Sequence, residues 1–428
     1  MTDIVWLSPV DAESSEIARY SEQILPFLAQ RTGIAAVENG ADGANPPWWP
    51  AGDTTTEIVQ GLAPLPVYHI GNNPVHIPIY QRSLEEPGLV VLHDLSLVDL
   101  AKNLSHQLEQ PDLWKELMYR QYGDDIRGLV NRSENSVADH NEMVANYPLF
   151  QPFVAGALGI VVHSRYARDL ILGQSATLAP VRQLNLPGLP GQDPATQRDP
   201  SAVLRFVFCG HVGPHRRLIE FCEAWGELHS PELIHLELFG NIRSKRQLLQ
   251  YAEHFGVAEY LTLRGYVSDA ELDQALLYAD FAINLRWPTM GEASASQLRY
   301  WAAGLPALVS DVGWYGELPD QTVCKISIDN ERDDIRKLLE DALASPGKYR
   351  QTGQQGRDYL RRSHAPEDYA RELAGFVEEL CSERLAYRVL DCQLVQLIAS
   401  MCENETDTGL FRGAIETAVA TLAPGTGH

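Results

Sequence analysis

The sequence predicts an α/β protein in which two doubly wound parallel sheets face each other across a central cleft. Its 428 residues exceed what a single hydrophobic core usually organises. In both halves, short apolar runs alternate with longer segments of helical period, which is typical of consecutive βαβ units. Residues 187–200 are rich in proline and glycine and separate the two series, so we expect them to form a linker.

Ten strands are expected, five in each half. Several are apolar throughout, as parallel strands covered on both faces are. The expected strands span 3–9, 66–71, 88–94, 158–164 and 181–187 in the first half, and 204–210, 234–240, 260–267, 280–285 and 306–311 in the second. Residues 99–147 form a polar, helix-rich stretch that we expect to pass over the cleft. Residues 268–271 form a capping box, which predicts the start of a helix.

These patterns predict three parts of the chain. An N-terminal domain is expected at 1–195 and a C-terminal domain at 196–365. The remaining residues, 366–428, are expected to form helices that pack back towards the N-terminal domain.

Composition excludes several classes of function. Hydrophobic residues make up 45% of the chain and charged residues 21%, as in ordinary globular proteins. No long apolar run or secretory signal is present, which predicts a cytoplasmic protein without integral membrane association. A net charge of −23 disfavours a nucleic-acid partner, because phosphates attract clustered Lys and Arg. The scattered cysteines predict neither a disulfide framework nor a metal site.

The cleft between the sheets is the expected site, since ligands of such folds bind at the carboxyl ends of the strands. Gly210 ends one strand, and Arg216 follows six residues later. Glycine lets the backbone turn beneath a ligand, and a guanidinium can bind phosphate oxygens bidentately. The alternative is that Arg216 belongs to a solvated helix start.

A second donor-site signal lies at 284–320. Gly291 and the residues 293–295 would place free backbone N–H groups at a helix N-terminus, where an anion is stabilised. Glu292 in the same turn could accept hydrogen bonds from sugar hydroxyls. Arg286 either pairs with a diphosphate or charged sugar, or forms a surface ion pair.

Polar residues also follow the strands of the first half. His93 ends a buried strand, and Asn72 and Asn73 follow another. The two asparagines either bond their own backbone or contact substrate hydroxyls. His163 ends a third strand, and the following Ser164 is a candidate helix N-cap.

Three segments, 8–28, 206–217 and 284–320, resemble glycosyltransferase family 4, and the resemblance extends over most of the chain from residue 6 to about residue 320. It implies a GT-B fold with two Rossmann-like domains, of which the first binds the acceptor and the second the nucleotide sugar. It also implies a hexosyltransferase of the EC 2.4 class that retains anomeric configuration without a metal or other cofactor. Glycan or polysaccharide biosynthesis is the implied role, and the acceptor is a glycan, a lipid-linked intermediate or a small molecule.

The resemblance assigns roles to individual residues. It implies that His93 touches the donor sugar, where a neutral imidazole can orient a hydroxyl; the alternative is a core or capping histidine. The residues expected to be catalytic are His93, Arg216 and Glu292. Those expected to bind the donor are Gly210, His211, Gly240, Tyr266, Val267, Arg286, Gly291, Ala293, Ser294, Ala295 and Arg299. Those expected to bind the acceptor are Ser15, Glu16, Asn72, Asn73 and His163.

The sequence departs from the family pattern at two places. In the first loop, the usual glycine is Glu16 and the usual aspartate is Arg19. Because a carboxylate repels a diphosphate, either the loop holds Glu16 away from the donor or donor binding is weakened. In the family's E-x7-E motif, the position that holds the ribose is Arg299 here. A catalytically weak homologue, acting as a partner subunit or a sugar- or nucleotide-binding module, is therefore the alternative function.

Overall fold

The structure, a computed structural model, describes residues 3–10, 15–38, 64–174, 177–191, 203–242, 245–345 and 347–401, with side chains up to 383. Two six-stranded sheets form its framework, and every strand pairing in them is parallel. The first has the order β2-β1-β3-β4-β5-β6 and the second the order β12-β11-β10-β7-β8-β9. The first consists of β1 Asp3–Leu7, β2 Gly33–Glu38, β3 Leu65–Ile70, β4 Leu89–Leu92, β5 Gly159–Val162 and β6 Val181–Gln183; the second consists of β7 Leu204–Cys209, β8 Ile234–Phe239, β9 Leu261–Gly265, β10 Phe281–Asn284, β11 Ala307–Ser310 and β12 Cys324–Ile326.

The predicted α/β class with two doubly wound sheets is confirmed. All ten expected strands are present, with ends shifted by at most four residues. The prediction omitted β2 and β12, each of which lies at one edge of its sheet. In β2 five of the six residues are only partly buried, and β12 has three residues, so neither forms the continuous apolar run of a central strand.

Helices cover both sheets. The predicted helix-rich stretch at 99–147 and the helix after the capping box at Ser268 are confirmed. The helices are α1 Glu16–Leu28, α2 Ile77–Glu85, α3 Val98–Gln107, α4 Leu113–Tyr122, α5 Arg127–Arg132, α6 Val137–Asn146, α7 Gln151–Val154, α8 Arg165–Gly173, α9 Leu218–Gly226, α10 Lys245–His254, α11 Asp269–Tyr278, α12 Ala295–Ala302, α13 Gly313–Gly316, α14 Glu331–Ala344, α15 Arg350–Ser363 and α16 Pro366–Met401.

Helix α16 begins after the second sheet and packs against α1 of the first. Tyr20 of α1 donates a hydrogen bond to the Tyr369 hydroxyl at 2.6 Å, and Arg182 at the end of the first sheet forms an ion pair with Glu379 at 2.7 Å. One buried apolar cluster contains residues of both sheets and of α16. The domain limits at 195 and 365 stay predictions. Residues 192–200 of the predicted linker and the C-terminal residues 402–428 lie outside the described residues.

Candidate donor site

The second sheet reverses its strand order between β7 and β10, and a crevice forms at such a switch point. Three glycines with positive φ follow its strands: Gly210 at +131°, Gly240 at +115° and Gly265 at +72°. A Cβ on Gly240 would lie 2.1 Å from the Gly210 carbonyl oxygen. The strand ends thus present bare backbone to the crevice.

Arg216 lies in the short 3-10 turn Pro214–Arg216 beside Gly210. Its Nε is buried without a hydrogen-bond partner. Within the described residues its guanidinium forms no ion pair. The guanidinium carbon lies 5.8 Å from the centre of the Phe208 ring. Burial, together with the Arg286 charge, lowers the pKa of Arg216 to about 10. An unpaired, partly desolvated cation of this kind favours an anionic ligand.

The surroundings of Arg216 are electropositive. Burial, followed by Arg286, Arg216 and His211, lowers the pKa of His215 to about 2. His211 therefore lies close enough to influence the charge state of the predicted donor pocket. A diphosphate would neutralise the repulsion between the Arg216 and Arg286 charges.

Arg286 follows β10 on the other side of the switch point. Its backbone N–H donates to Ser310 Oγ at 2.8 Å. Its Nε lies 2.7 Å from Glu292 Oε1, but the two atoms are not aligned for a hydrogen bond, so the contact is an ion pair. Both side chains are buried. The predicted alternative of a surface ion pair for Arg286 is wrong, because this pair lies inside the cleft.

Glu292 is held by its own loop. Its Oε2 accepts hydrogen bonds from Met290 N at 2.7 Å and from Thr289 Oγ1 at 3.2 Å. A sugar hydroxyl that reached Glu292 would therefore meet a carboxylate already oriented by its loop and by Arg286.

The helix N-terminus predicted near Gly291 begins four residues later, at α12. The expectation that Gly291 offers a free N–H is wrong, because that N–H donates to Thr289 Oγ1 at 3.0 Å. Ser294 is the N-cap, and its side chain accepts from Gln297 N at 3.2 Å. The N–H groups of Ala295 and Ser296 in the first turn have no intrahelical acceptor. Ala293 is a partly buried residue packed against the core.

Gly291 lies where a loop of the second sheet contacts a loop of the first. Leu95 N and Ser96 N, in the loop after β4, donate to the Met290 carbonyl at 2.7 and 2.9 Å. Gly291 has a φ of +78°, and a Cβ on it would lie 2.4 Å from Leu95 Cβ. The loops after β4 and β10 therefore close one end of the cleft.

We expect Gly291→Ala to weaken this closure. Alanine at a positive φ costs about 1–2 kcal/mol, and here the Leu95 contact adds to that cost. Gly256→Ala is the matched control, because Gly256 has a φ of +73° with nothing within 4 Å of its Cβ position. Urea denaturation and small-angle scattering should show a larger loss of stability and a more open molecule for Gly291→Ala. Equal effects of the two variants would contradict this role of Gly291.

Asp94 faces the same end of the cleft from the first sheet. Its Oδ2 accepts the Asn72 N–H at 2.7 Å. Burial, followed by the nearby Glu292 charge, raises the pKa of Asp94 to about 6. Near neutral pH two carboxylates and Arg286 thus share this end, opposite the cationic end at Arg216.

His93 is the centre of a buried chain of three histidines. His163 Nδ1 donates to the Leu184 carbonyl at 3.0 Å, which leaves its Nε2 to accept from His93 Nδ1 at 3.2 Å. His93 Nε2 then accepts from His69 Nδ1 at 3.0 Å, and His69 Nε2 is buried without a partner. This direction holds for neutral rings, and burial lowers the pKa of each of the three histidines.

Both ring nitrogens of His93 are therefore occupied by histidines, and a substrate hydroxyl would have to displace one of them. The role of His93 at the donor sugar stays a prediction. His163, expected to bind the acceptor, holds the outer end of the chain. The predicted helix cap after it is confirmed, because Ser164 Oγ accepts from Ala167 N at 3.0 Å.

The other residues expected to bind the acceptor serve the local backbone. Asn72 Oδ1 accepts from Leu100 N at 2.9 Å and so fixes the start of α3, while Asn73 Oδ1 accepts from Val75 N at 3.1 Å. Asn73 thus bonds its own turn, as one of the two interpretations expected, whereas Asn72 bonds the distant start of α3 and fits neither. Ser15 caps α1 by accepting from Ile17 N at 3.2 Å, and Glu16 is exposed in the first turn of α1.

Two of the three residues that depart from the family pattern, Arg19 and Arg299, contact the same carboxylate. Arg19 Nη1 lies 2.7 Å from Asp269 Oδ1, and Arg299 Nη1 lies 2.9 Å from the same oxygen. Arg19 Nη2 also donates to Tyr266 Oη at 3.3 Å. Tyr266 is exposed and Val267 is partly buried. An ion network thus joins α1 of the first domain to α11 and α12 of the second.

Sequence reasoning did not identify Asp269, His69 or His215 as part of the cleft. Asp269 lies within the predicted capping box, and His69 lies within a predicted strand. Neither position carries a local signal for the site, because their partners are distant in sequence.

Solved structures with the same arrangement of two facing domains include several glycosyltransferases. WaaG, a glycosyltransferase involved in lipopolysaccharide biosynthesis, is 14% identical over 88% of this chain and 99% of its own, with a TM-score of 0.54. HepE from Anabaena, in complex with UDP, is 10% identical over 89% and 100%, with a TM-score of 0.52. The sucrose-phosphate synthase from Thermosynechococcus elongatus is 15% identical over 75% and 74%, with a TM-score of 0.50. The chain has the GT-B fold.

The predicted GT-B architecture is therefore confirmed. No protein-family model matches the sequence, and no curated protein sequence matches it. No helix in the described part of the chain combines the length and apolarity needed to cross a bilayer. Among the described residues, no three metal-ligating side chains converge on one point. The cytoplasmic location, the absence of a metal and the absence of a nucleic-acid partner stay predictions.

Proposed function

We propose that this GT-B protein is a retaining glycosyltransferase of the hexosyltransferase type, which takes a sugar from a nucleotide diphosphate sugar and transfers it to a hydroxyl acceptor. Arg216 carries the proposal: its guanidinium is partly desolvated, unpaired with any described carboxylate and placed beside the bare backbone of Gly210. The first turn of α12 adds free N–H groups at the same place. WaaG and HepE, which have the same fold, are a glycosyltransferase and a UDP-binding protein.

The polarity of the cleft orients the donor. The diphosphate binds between Arg216 and the start of α12, where the cations lie. The sugar then lies towards Glu292 and Asp94, whose carboxylates accept hydrogen bonds from its hydroxyls. Catalysis rests on placing donor and acceptor together and on stabilising the leaving diphosphate. The acceptor hydroxyl attacks the face that the nucleotide leaves, and an oxygen of the leaving phosphate takes its proton.

Calorimetric titration with UDP, GDP and ADP tests the donor site first. We expect one of them to bind in the micromolar range, because a diphosphate relieves the repulsion between Arg216 and Arg286. The matching nucleotide sugars should then release sugar slowly to water or transfer it to a glycan, lipid-linked or small-molecule acceptor, and NMR of the product should show the anomer of the donor.

The outcomes separate the candidate functions. Binding without hydrolysis or transfer would support the weak homologue that serves as a partner subunit or a binding module. An inverted product would contradict the retaining mechanism alone. If none of the three diphosphates bound, the nucleotide-sugar site itself would be refuted. Glycan or polysaccharide biosynthesis in the cytoplasm is the setting that we propose for the enzyme.

A further inference from the structure

The donor pocket continues from Arg216 towards the start of α11. A Cβ on Gly210 would lie 3.8 Å from Arg216 Nη2 and 3.7 Å from Ser296 Oγ. Ser296 and Arg299 are three residues apart on α12 and so lie on one face, about 4.5 Å apart along the helix axis. Arg299 in turn contacts Asp269, the first residue of α11. Arg216, Gly210, α12 and Asp269 therefore follow one another along the cleft.

The polarity of the cleft decides which part of the donor lies at Asp269. Arg286 and Glu292 lie at the end that faces the first sheet, where the transferred sugar must meet the acceptor. The opposite end lies beside Gly240 and Gly265, which are joined by a backbone hydrogen bond of 2.7 Å from Gly240 N to Gly265 O. A diphosphate at Arg216 therefore places its nucleoside on the side of Gly265 and Asp269.

Asp269 is a carboxylate held in place by two arginines. Arg19 Nη1 and Arg299 Nη1 both lie within 2.9 Å of Oδ1, and Arg299 Nη2 also donates to the Asp269 carbonyl at 3.2 Å. The side chain of Asp269 is 58% exposed. No described residue forms a hydrogen bond with Oδ2. One oxygen is thus fixed by cations while the other is open to a ligand.

We infer that Asp269 binds the ribose of the donor nucleotide through Oδ2, held in position by Arg19 and Arg299. A carboxylate oxygen can only accept hydrogen bonds while it is ionised, and ribose offers two neighbouring hydroxyl donors. The two arginines keep the carboxylate ionised and orient it, so little rotamer freedom is lost on binding. Because Arg19 belongs to the first domain, the nucleotide contact is also coupled to the approach of the two domains. This inference rests on the proposed nucleotide site.

Nucleotides that lack one ribose hydroxyl test this role. Calorimetry would compare UDP with its 2′-deoxy and 3′-deoxy analogues, or the corresponding GDP or ADP set if that base binds. We expect at least one analogue to bind the wild-type protein about tenfold more weakly, the loss that follows from removing one hydrogen bond to a charged group. In Asp269→Asn the preference for the ribonucleotide should fall to less than about threefold, on the same reasoning.

One variant is the matched control. Asp273→Asn removes the other carboxylate that contacts Arg299, at 2.8 Å, and should keep the preference. Arg19→Gln removes one of the two cations that hold Asp269, so the preference should fall, but by less than in Asp269→Asn. An unchanged affinity of Asp269→Asn for the deoxy analogue shows that the variant is folded.

The inference is overturned if Asp269→Asn weakens all three nucleotides by the same factor, or if the wild-type protein does not distinguish them. Either result leaves the proposed donor site intact, because Arg216 would still hold the diphosphate. If the wild-type protein binds no nucleoside diphosphate, the proposed function and the inference fail together.

Discussion

Arg216→Met should weaken nucleoside diphosphate binding by roughly 100-fold, since about two charge-assisted hydrogen bonds to phosphate are lost. The same variant should stabilise the free protein by about 1 kcal/mol, because an unpaired and partly buried cation is replaced by an apolar chain of similar length. The Arg286 charge also loses a repulsive neighbour. Calorimetry measures the first effect and urea denaturation the second. Weaker nucleotide binding together with a higher free energy of unfolding is the result expected when the replaced residue serves to bind a ligand.

Arg217→Gln is the matched control for this variant. Arg217 is the next residue, but its Nε donates to Glu331 Oε2 at 2.9 Å and its Nη1 lies 2.7 Å from Glu220. Removing it leaves Glu331 buried and unpaired, so we expect a loss of about 1–3 kcal/mol in stability and nucleotide binding close to that of the wild type. If Arg216→Met destabilised the protein as Arg217→Gln does, Arg216 would be structural.

The sequence predicts those features of the fold that local patterns determine. Central parallel strands are apolar throughout because helices cover both faces. Eight of the ten predicted strands are central, while β6 and β9 lie at sheet edges. Gly210 and Arg216 could be recognised because a glycine at a strand end and a basic residue in the following turn are close in sequence. The two omitted edge strands carry a weaker pattern, because five of the six residues of β2 are only partly buried and β12 has three residues.

Contacts between distant segments could not be predicted. Arg19 and Asp269 are 250 positions apart, and nothing in either segment indicates that they meet. In the sequence, Arg19 and Arg299 look like two unrelated departures from the family pattern. In the structure they share one carboxylate, because the folded cleft brings α1, α11 and α12 together.

Helix caps account for most of the remaining differences. The family resemblance predicted that Ser15 contacts the acceptor, and a place at a strand end predicted the same for Asn72 and Asn73. Asn72 and Ser15 instead satisfy backbone N–H groups at helix starts, which every helix must leave open. The same residue types serve both purposes, so the sequence could not distinguish them.

Acidification should unfold this protein through its buried histidines. Burial lowers the pKa values of His69 and His93 below the ordinary range and that of His163 to about 4. Between about pH 6.5 and pH 4 the unfolded chain binds protons that the folded rings exclude, so stability is lost as the pH falls through this window. Each histidine contributes up to about 1.4 kcal/mol per pH unit. Asp94, with its raised pKa, acts in the opposite direction but is a single group.

Urea denaturation followed by circular dichroism at about pH 7 and about pH 5 would measure the slope of the unfolding free energy against pH. His163→Gln should reduce the dependence of the unfolding free energy on pH by up to the contribution of one proton. One ring that excludes a proton in the folded protein is removed, and the neighbouring His93 loses the acceptor for its Nδ1 proton. His229→Gln, at an exposed position, is the control and should leave the slope unchanged. Equal slopes for the wild type and His163→Gln would mean that the chain from Leu184 to His69 is not neutral in the folded protein, and the direction of its hydrogen bonds would then have to be reassigned.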